Sequence, residues 1–273
     1  MARGEILISR EMAIGDVLMT TPIVRAVKEK YPNTPIIYET KCPQLLHGNP
    51  YIKRIVESAP GTFDIKIRPR YEDSFNENAI DAMAKTSGVK IDSRRMEIYL
   101  PTEPMPDFGG PFVVVHTGKS WISRTWPIDR FVMVMSWIVT HGYRVIIVGN
   151  EVTDLVHWPG VFDMRGVSFA LVTSFMRIAS FFVGIDSAPA NIAKAVGCPA
   201  FVIYGCVHPE TRYADSTEYP IWAGHLECAG CRNKTSATSV ECRYEGDSGR
   251  TPRCLTEITP EMVIDEIKRR MNL

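Results

Sequence analysis

The sequence lacks any apolar stretch that approaches the ~20 residues needed for a membrane-spanning helix. Residues 1–16 carry charges where a signal peptide would need an uninterrupted apolar core. We therefore expect a cytoplasmic protein, and peripheral attachment to the inner membrane stays open. In the cytoplasm the seven cysteines are expected to be mainly reduced.

An excess of charge is also lacking. The chain has 31 Lys and Arg against 31 Asp and Glu, so no overall charge draws it toward nucleic acid or an anionic membrane. The one locally basic stretch, residues 53–70, is more typical of a solvated surface than of a polyanion site. Nucleic acid stays open as an acceptor.

Sequence signals for metals are absent or incomplete. No Asp-x-Asp pair occurs in the chain, so we expect no catalytic metal and no cofactor. Cys228 and Cys231 form a C-x-x-C pair, but Cys242 and Cys254 do not form a second one. We therefore favour reduced thiols here, with a structural zinc at these four cysteines as the alternative.

Short apolar strands alternate with amphipathic helices in both halves of the chain, which indicates an α/β protein with parallel sheets. Between the halves, residues 101–111 contain four prolines and two glycines, which is typical of a linker. We predict two Rossmann-like domains facing a cleft, residues 1–105 and 106–273. Within the first domain we predict a turn over 11–16, a helix over 73–86 and a strand over 96–100.

Residues 181–197 run from an apolar strand through Asp186 and Ser187 into a helix of small residues. We predict that Ser187 caps this helix, and Pro189 suits its first turn. Asn191 lies one turn further on. A helix start at the carboxyl end of a parallel strand suits a phosphate group. An ordinary strand–helix–strand crossover is the alternative.

The loop at residues 116–127 follows another predicted strand. Its cations and hydroxyls suit a diphosphate, which Arg can bind through two hydrogen bonds. The candidate residues are Thr117, Gly118, Lys119, Ser120 and Arg124. Gly118-Lys119-Ser120 matches the end of a P-loop, but that motif's first glycine would fall on Val113, so the match fails. The alternative is a surface loop anchored by its two tryptophans.

Two acids follow predicted strands elsewhere in the chain. Asp16, after Gly15, is either a helix cap or a general base. The backbone at Gly15 can approach a sugar or a phosphate closely. Glu151 either contacts ribose hydroxyls or caps the following helix.

Three segments in this order, residues 13–32, 116–127 and 181–205, resemble the ADP-heptose:lipopolysaccharide heptosyltransferase family, and the C-terminal part from Cys228 is similar too. The resemblance implies a GT-B fold, with the sugar nucleotide bound by the C-terminal half and the acceptor by the N-terminal half. It also implies an inverting reaction without a metal. By this resemblance Asp16 is the catalytic base, Arg124 the basic residue before Trp-Pro, and Glu151 the ribose contact.

The same resemblance places the family's phosphate turn on Asp186, Ser187 and Ala188. Ala188 stands where the family usually has glycine, and Asn191 where histidine is usual. Asparagine can donate a hydrogen bond to a phosphate oxygen but carries no charge, so donor affinity or identity can differ.

We therefore expect an inverting, metal-independent glycosyltransferase that moves a sugar from a nucleotide-diphosphate-sugar donor to an acceptor hydroxyl. The acceptor is a glycan, a glycolipid or another hydroxyl-bearing molecule. One alternative is a sugar-nucleotide epimerase, which needs a second acid/base group besides Asp16. Another is a non-catalytic sugar-nucleotide-binding protein.

Overall fold

The fold is described from a computed structural model. It covers residues 4–72, 74, 76–118, 122–150, 158–214, 217–231, 242 and 251–273. The chain divides into two compact units: unit 1 is Met1–Pro101 with Thr211–Asp215, and unit 2 is Thr102–Glu210 with Ser216–Leu273. Within the described ranges, no helix combines the length and the apolar character that crossing a membrane requires.

Unit 1 is built on a parallel four-stranded sheet with the order β3-β2-β1-β4. Its strands are β1 (Ile6–Ser9), β2 (Ile36–Glu39), β3 (Ile52–Val56) and β4 (Ile65–Ile67), and its helices are α1 (Ile14–Met19), α2 (Thr21–Lys30) and α3 (Ala79–Thr86). Ile6 and Ile8 on the central strand β1 are fully buried. This apolar strand fixes where the residues after Ser9 emerge from the sheet.

The first helical region differs from the prediction. The predicted turn over 11–16 is wrong in its second half, because α1 already begins at Ile14. The helix is interrupted at Thr20, whose hydroxyl donates to the Val17 carbonyl at 2.7 Å, and α2 restarts with Pro22 in its first turn. Proline fits there because its missing N–H would have no partner inside the helix.

Two further predictions in unit 1 need correction. The predicted helix over 73–86 begins only at Ala79, because Asn78 caps it by accepting a hydrogen bond from the Ile80 N–H; residue 73 lies outside the described residues. The predicted strand over 96–100 is wrong. There the Glu97 N–H donates to the Thr21 hydroxyl at 2.9 Å, so this backbone group bonds to a side chain rather than to a strand.

Unit 2 contains a parallel six-stranded sheet with the order β10-β9-β8-β5-β6-β7. The strands are β5 (Phe112–His116), β6 (Arg144–Ile147), β7 (Val161–Asp163), β8 (Phe182–Ile185), β9 (Ala200–Tyr204) and β10 (Glu218–Trp222). Its helices are α4 (Ile128–Thr140), α5 (Phe169–Ile178), α6 (Ala188–Val196), α7 (Arg253–Thr256) and α8 (Pro260–Met271). The strand order reverses between β5 and β8, which is where parallel α/β sheets bind ligands.

The proline-rich segment contributes to the core of unit 2. The chain enters unit 2 at Thr102, and the Phe108 ring packs edge-on against Phe112, Phe162 and Phe175 at centroid distances of 5.0–5.7 Å. Further along, the Trp126 indole N–H donates to the Ile258 carbonyl at 3.0 Å. These contacts anchor both ends of the segment that carries β5 and the loop after it.

Candidate functional site

The ends of β5 and β8 form a polar edge on the sheet of unit 2. The strands pair in parallel, with His116 opposite Gly184, so the residues that follow each strand emerge side by side. His116, Thr117 and Asp186 are all buried there. Buried polar groups need hydrogen-bond partners or a ligand, and this edge lies where the strand order reverses, which is where parallel α/β sheets bind ligands.

The N-terminus of α6 lies at this edge, but the prediction that Ser187 caps it is wrong. Ser187 occupies the N-cap position, yet in the described part of the chain its side chain makes no cap hydrogen bond. Its hydroxyl instead shares a hydrogen bond of 3.0 Å with Nδ1 of His116. The first N–H groups of a nine-residue helix are thus left without this cap, and such groups bind anions.

Arg124 faces Asp186 across the same edge. The nearest guanidinium nitrogen lies 3.7 Å from Oδ2 of Asp186, and the two side chains are 20% and 8% exposed. Arg124 ends a 3₁₀ turn that packs on Gly205 after β9. A side chain at Gly205 would place its Cβ 2.8 Å from the Ser123 carbonyl oxygen, so glycine permits this close packing.

The loop after β5 supplies two more of the predicted residues. The Thr117 hydroxyl oxygen is buried and has no hydrogen-bond partner among the described residues. Gly118 has φ of +63°, and a Cβ there would lie 2.1 Å from Cδ1 of Ile185. Glycine is therefore needed for both the backbone angle and the contact with β8.

The remaining predicted residues of the donor half divide into two groups. Ala188 is the first residue of α6, and Asn191, 5% exposed, follows within its first turn. Lys119, Ser120 and Glu151 lie outside the described residues. The structure thus brings Thr117, Gly118, Arg124 and the 186–191 stretch to one sheet edge.

Asp16 lies inside α1 of unit 1. The N-cap residue of α1 is Ala13, with φ of 65°, so the alternative that Asp16 caps the helix is wrong. A non-glycine residue in this region costs about 1–3 kcal/mol and is often found next to functional sites. Gly15 is the second residue of α1, directly before Asp16.

Both contacts of the Asp16 carboxylate are made through one oxygen. Nη2 of Arg10 lies 2.6 Å from Oδ2, and the Tyr71 hydroxyl donates to the same oxygen at 3.1 Å. Nη1 of Arg10 also binds Oε1 of Glu72 at 2.6 Å. Burial alone would lower the pKa of Arg10, but the charges of Asp16 and Glu72 outweigh it and raise that pKa. Oδ1 of Asp16 has no protein hydrogen bond within the described ranges.

The cysteines of the C-terminal part surround a cavity in unit 2. Cys228, Cys231, Cys242 and Cys254, together with Cys206 after β9, line a space of about 330 Å³, and all are free thiols. Burial, reinforced by the neighbouring cysteines, raises the pKa of the Cys254 thiol to about 12. No three His, Cys, Asp or Glu side chains in the described part of the chain are placed to share a metal ion.

Comparison with known proteins identifies the family. Residues 75–240 match the model of glycosyltransferase family 9 (heptosyltransferase). The chain belongs to this family. The predicted resemblance to heptosyltransferases is therefore confirmed.

Two curated relatives of this family 9 chain are heptosyltransferases. Lipopolysaccharide heptosyltransferase 3 of Escherichia coli is 28% identical over 128 residues, which are 42% of this chain and 38% of that protein. The autotransporter heptosyltransferase BAHTCr of Citrobacter rodentium is 26% identical over 194 residues, which are 66% of this chain and 46% of that protein. The chain thus matches less than half the length of either relative.

Solved structures of glycosyltransferases have the same fold. TibC of enterotoxigenic E. coli H10407, described as an iron-containing dodecameric glycosyltransferase, has a TM-score of 0.81 at 19% identity, covering 99% of this chain and 77% of that one. The family 9 protein of Veillonella parvula DSM 2008 has a TM-score of 0.72 at 16% identity, covering 97% and 96%. The predicted α/β fold of the GT-B class is confirmed.

Four residues at the two candidate sites are missing from the sequence prediction. His116 begins the loop already singled out, and Arg10 directly follows β1, so the rule that ligand sites lie at strand ends could have found both. Tyr71 is 55 positions from Asp16, and Arg212, whose guanidinium lies over the Tyr71 ring, is further still. Neither stands in a local pattern that points to Asp16.

Proposed function

We propose that this family 9 chain is a cytoplasmic, inverting glycosyltransferase that moves a sugar from a nucleotide-diphosphate-sugar donor to an acceptor hydroxyl. The observation that carries the proposal is the start of α6, where Ser187 bonds to His116 instead of capping the helix. The buried Thr117 hydroxyl, which has no protein partner among the described residues, lies at the same sheet edge.

The donor diphosphate would bind at the start of α6, over Ala188 and beside Asn191. There the helix N–H groups carry a partial positive charge, and Arg124 adds a full one. The Arg124 guanidinium lies 3.7 Å from the Asp186 carboxylate at this edge, and arginine can bind phosphate oxygens through two parallel N–H groups. Lys119 and Ser120 would complete the phosphate contacts and Glu151 would contact the ribose.

An ADP-heptose is the first donor to test. TibC was solved in complex with ADP-D-β-D-heptose, and the chain shares the family of the heptosyltransferases. The acceptor is proposed only as a hydroxyl-bearing molecule, such as a glycan or a glycolipid, because the match covers less than half the length of these two curated relatives.

Asp16 would act as the general base. The acceptor oxygen forms a bond to the anomeric carbon, its proton passes to Oδ1 of Asp16, and the bond from that carbon to the diphosphate breaks. The nucleoside diphosphate leaves with the electron pair, and Arg124 and the start of α6 offset the added charge. A positioned base typically contributes ~10²–10⁴-fold in rate.

We propose that this reaction needs no metal. The thiol donors of the cysteine cavity suit iron or zinc, and TibC is described as iron-containing. In the described geometry, however, no three of these side chains converge on one point, so the arrangement does not fit a bound ion. No step of the transfer is therefore assigned to a metal.

The proposal is tested with Asp16→Asn, which keeps the shape of the side chain but cannot accept a proton. Turnover of ADP-heptose, measured as ADP release, should fall by at least about 100-fold, while donor affinity and folding stay close to wild type. Asp92→Asn is the matched control, since Asp92 is 77% exposed in unit 1. An Asp16→Asn variant with the wild-type rate would refute the role of Asp16 as base.

A further inference from the structure

Tyr71 lies in unit 1 between β4 and α3, and it bonds to the proposed base. Its hydroxyl donates to Oδ2 of Asp16 at 3.1 Å, the oxygen that Arg10 also binds at 2.6 Å. Two donors on one oxygen restrict rotation of the carboxylate. They also leave Oδ1 as the oxygen that can accept a proton from a substrate hydroxyl.

The Tyr71 ring is held by two cations. The guanidinium carbon of Arg10 lies 5.2 Å from the ring centroid and that of Arg212 lies 4.7 Å from it, both within the range of cation–π attraction. The Tyr71 N–H also donates to Oε2 of Glu72 at 3.0 Å. Glu72 binds Arg10 as well. Tyr71, Glu72 and Arg10 therefore each contact the other two.

The Tyr71 hydroxyl remains a donor under working conditions. Burial raises the pKa of Tyr71 to about 12, and the nearby charge of Asp16 acts in the same direction. The hydroxyl therefore keeps its proton at neutral pH. It cannot take the acceptor's proton in place of Asp16.

Arg212 comes from the C-terminal half of the sequence, yet its segment, Thr211–Asp215, belongs to unit 1. The neighbouring Tyr213 carbonyl accepts a hydrogen bond of 2.8 Å from Nδ2 of Asn78, the residue that caps α3. Arg212 itself is buried, at 8% exposure. Its place over the Tyr71 ring is therefore fixed by packing and by the hydrogen bond next to it.

We propose that Tyr71 is a positioning residue for Asp16 and that Arg212 holds the Tyr71 ring in place. The proposal rests on the proposed role of Asp16 as the base. Arg10 and the Tyr71 hydroxyl hold Oδ2 while Oδ1 receives the proton of the acceptor. The base is thus assembled from three separate stretches of chain, around residues 10–16, 71–72 and 211–213.

The direct test is Tyr71→Phe, which keeps the ring under both cations and removes only the hydroxyl. We expect kcat to fall about 10- to 100-fold, the range for losing a hydrogen bond to a charged group, with the KM for ADP-heptose unchanged within about twofold. A fall in kcat with an unchanged KM is the split expected of a group that orients the base without binding the donor. Tyr31→Phe, outside this cluster, is the matched control.

The role of Arg212 is tested by two substitutions. Arg212→Gln should lower kcat severalfold through the loosened ring, and Arg212→Lys should restore part of that loss because it keeps a cation near the ring. Thermal unfolding of each variant separates this effect from loss of fold. A folded Arg212→Gln variant with the wild-type kcat would refute the role of Arg212.

A double variant separates the two proposals. If Tyr71 acts through Asp16, then adding Tyr71→Phe to Asp16→Asn should cause little further loss of turnover. Losses that multiply in the double variant would overturn the positioning role, and so would a Tyr71→Phe enzyme with the wild-type kcat. A fully active Asp16→Asn enzyme would instead overturn the proposed base itself.

Discussion

Replacing Lys194 should destabilise unit 2 in a manner that depends on pH. Nζ of Lys194, on α6, lies 3.5 Å from Oε2 of Glu218 on β10, and the two side chains are only 0% and 1% exposed. The Tyr204 hydroxyl on β9 also bonds to Oε1 of Glu218. Lys194→Met removes the cation and leaves a carboxyl group buried in the sheet.

The size of the effect follows from burial. Removing one partner of a buried ion pair typically costs about 3–5 kcal/mol. For a domain of this size class each kcal/mol shifts the melting temperature by about 2–4 °C, so the expected loss is about 6–20 °C at neutral pH. Burial raises the pKa of Glu218, and Lys194 and the Tyr204 bond oppose that rise.

The sign of the pH dependence follows from that raised pKa. The folded protein holds the Glu218 proton more tightly than the unfolded chain, whose ordinary pKa is 4.5. The contribution of Glu218 to stability is therefore greatest below pH 4.5 and is lost as pH rises through the folded pKa. Without Lys194 the folded pKa rises further, so the loss in Lys194→Met should be small near pH 4.5 and grow toward pH 8.

Urea unfolding at several pH values measures this loss. The double variant Lys194→Met/Glu218→Gln replaces the pair with neutral groups of similar shape, and Gln can still accept the Tyr204 hydrogen bond. It should recover most of the stability, since neutral replacements of buried pairs are often harmless or stabilising. An equal loss at pH 4.5 and pH 8, or a double variant no more stable than Lys194→Met, would refute the reasoning.

Two further predictions concern the donor site and metals. Arg124→Met should weaken donor binding by about 1.5–3 kcal/mol, the scale of a hydrogen bond to a charged group. Calorimetry with ADP-heptose measures this change, and an unchanged affinity would contradict the placement of the diphosphate. Turnover should persist in EDTA, because the start of α6 and Arg124 offset the phosphate charge without a metal. Activity that disappears with EDTA and returns with magnesium or manganese would contradict this prediction. Elemental analysis of the same protein shows whether the cysteines hold iron or zinc.

The sequence predicted best the features that depend on neighbouring residues. The apolar run before Asp186, the turn and the small-residue helix all lie within residues 181–197, and the structure forms them as β8 and α6. Two glycines of this half follow the same pattern. Gly205 directly follows β9, and Gly118 is the second residue after β5. Local spacing was therefore sufficient to predict the sheet edge where the donor is proposed to bind.

Predictions failed where a distant partner competed with a local one. Ser187 has the sequence context of a helix cap, but its hydroxyl bonds to His116, 71 positions away. Residues 96–100 have the alternation of a strand, but the Glu97 N–H bonds to Thr21, 76 positions away. The partners of Asp16 were missed for the same reason, because a carboxylate at a strand end does not reveal which distant tyrosine will reach it.

The membership of Thr211–Asp215 in unit 1 affects how the protein can be made and dissected. The chain crosses between the units at 101/102, 210/211 and 215/216, so a single cut in the proline-rich segment does not release a complete unit 1. A fragment that ends at residue 101 would lack Arg212 over Tyr71 and the Tyr213 carbonyl that binds Asn78. During synthesis, which proceeds from the N-terminus, unit 1 can acquire these contacts only after most of unit 2 has left the ribosome.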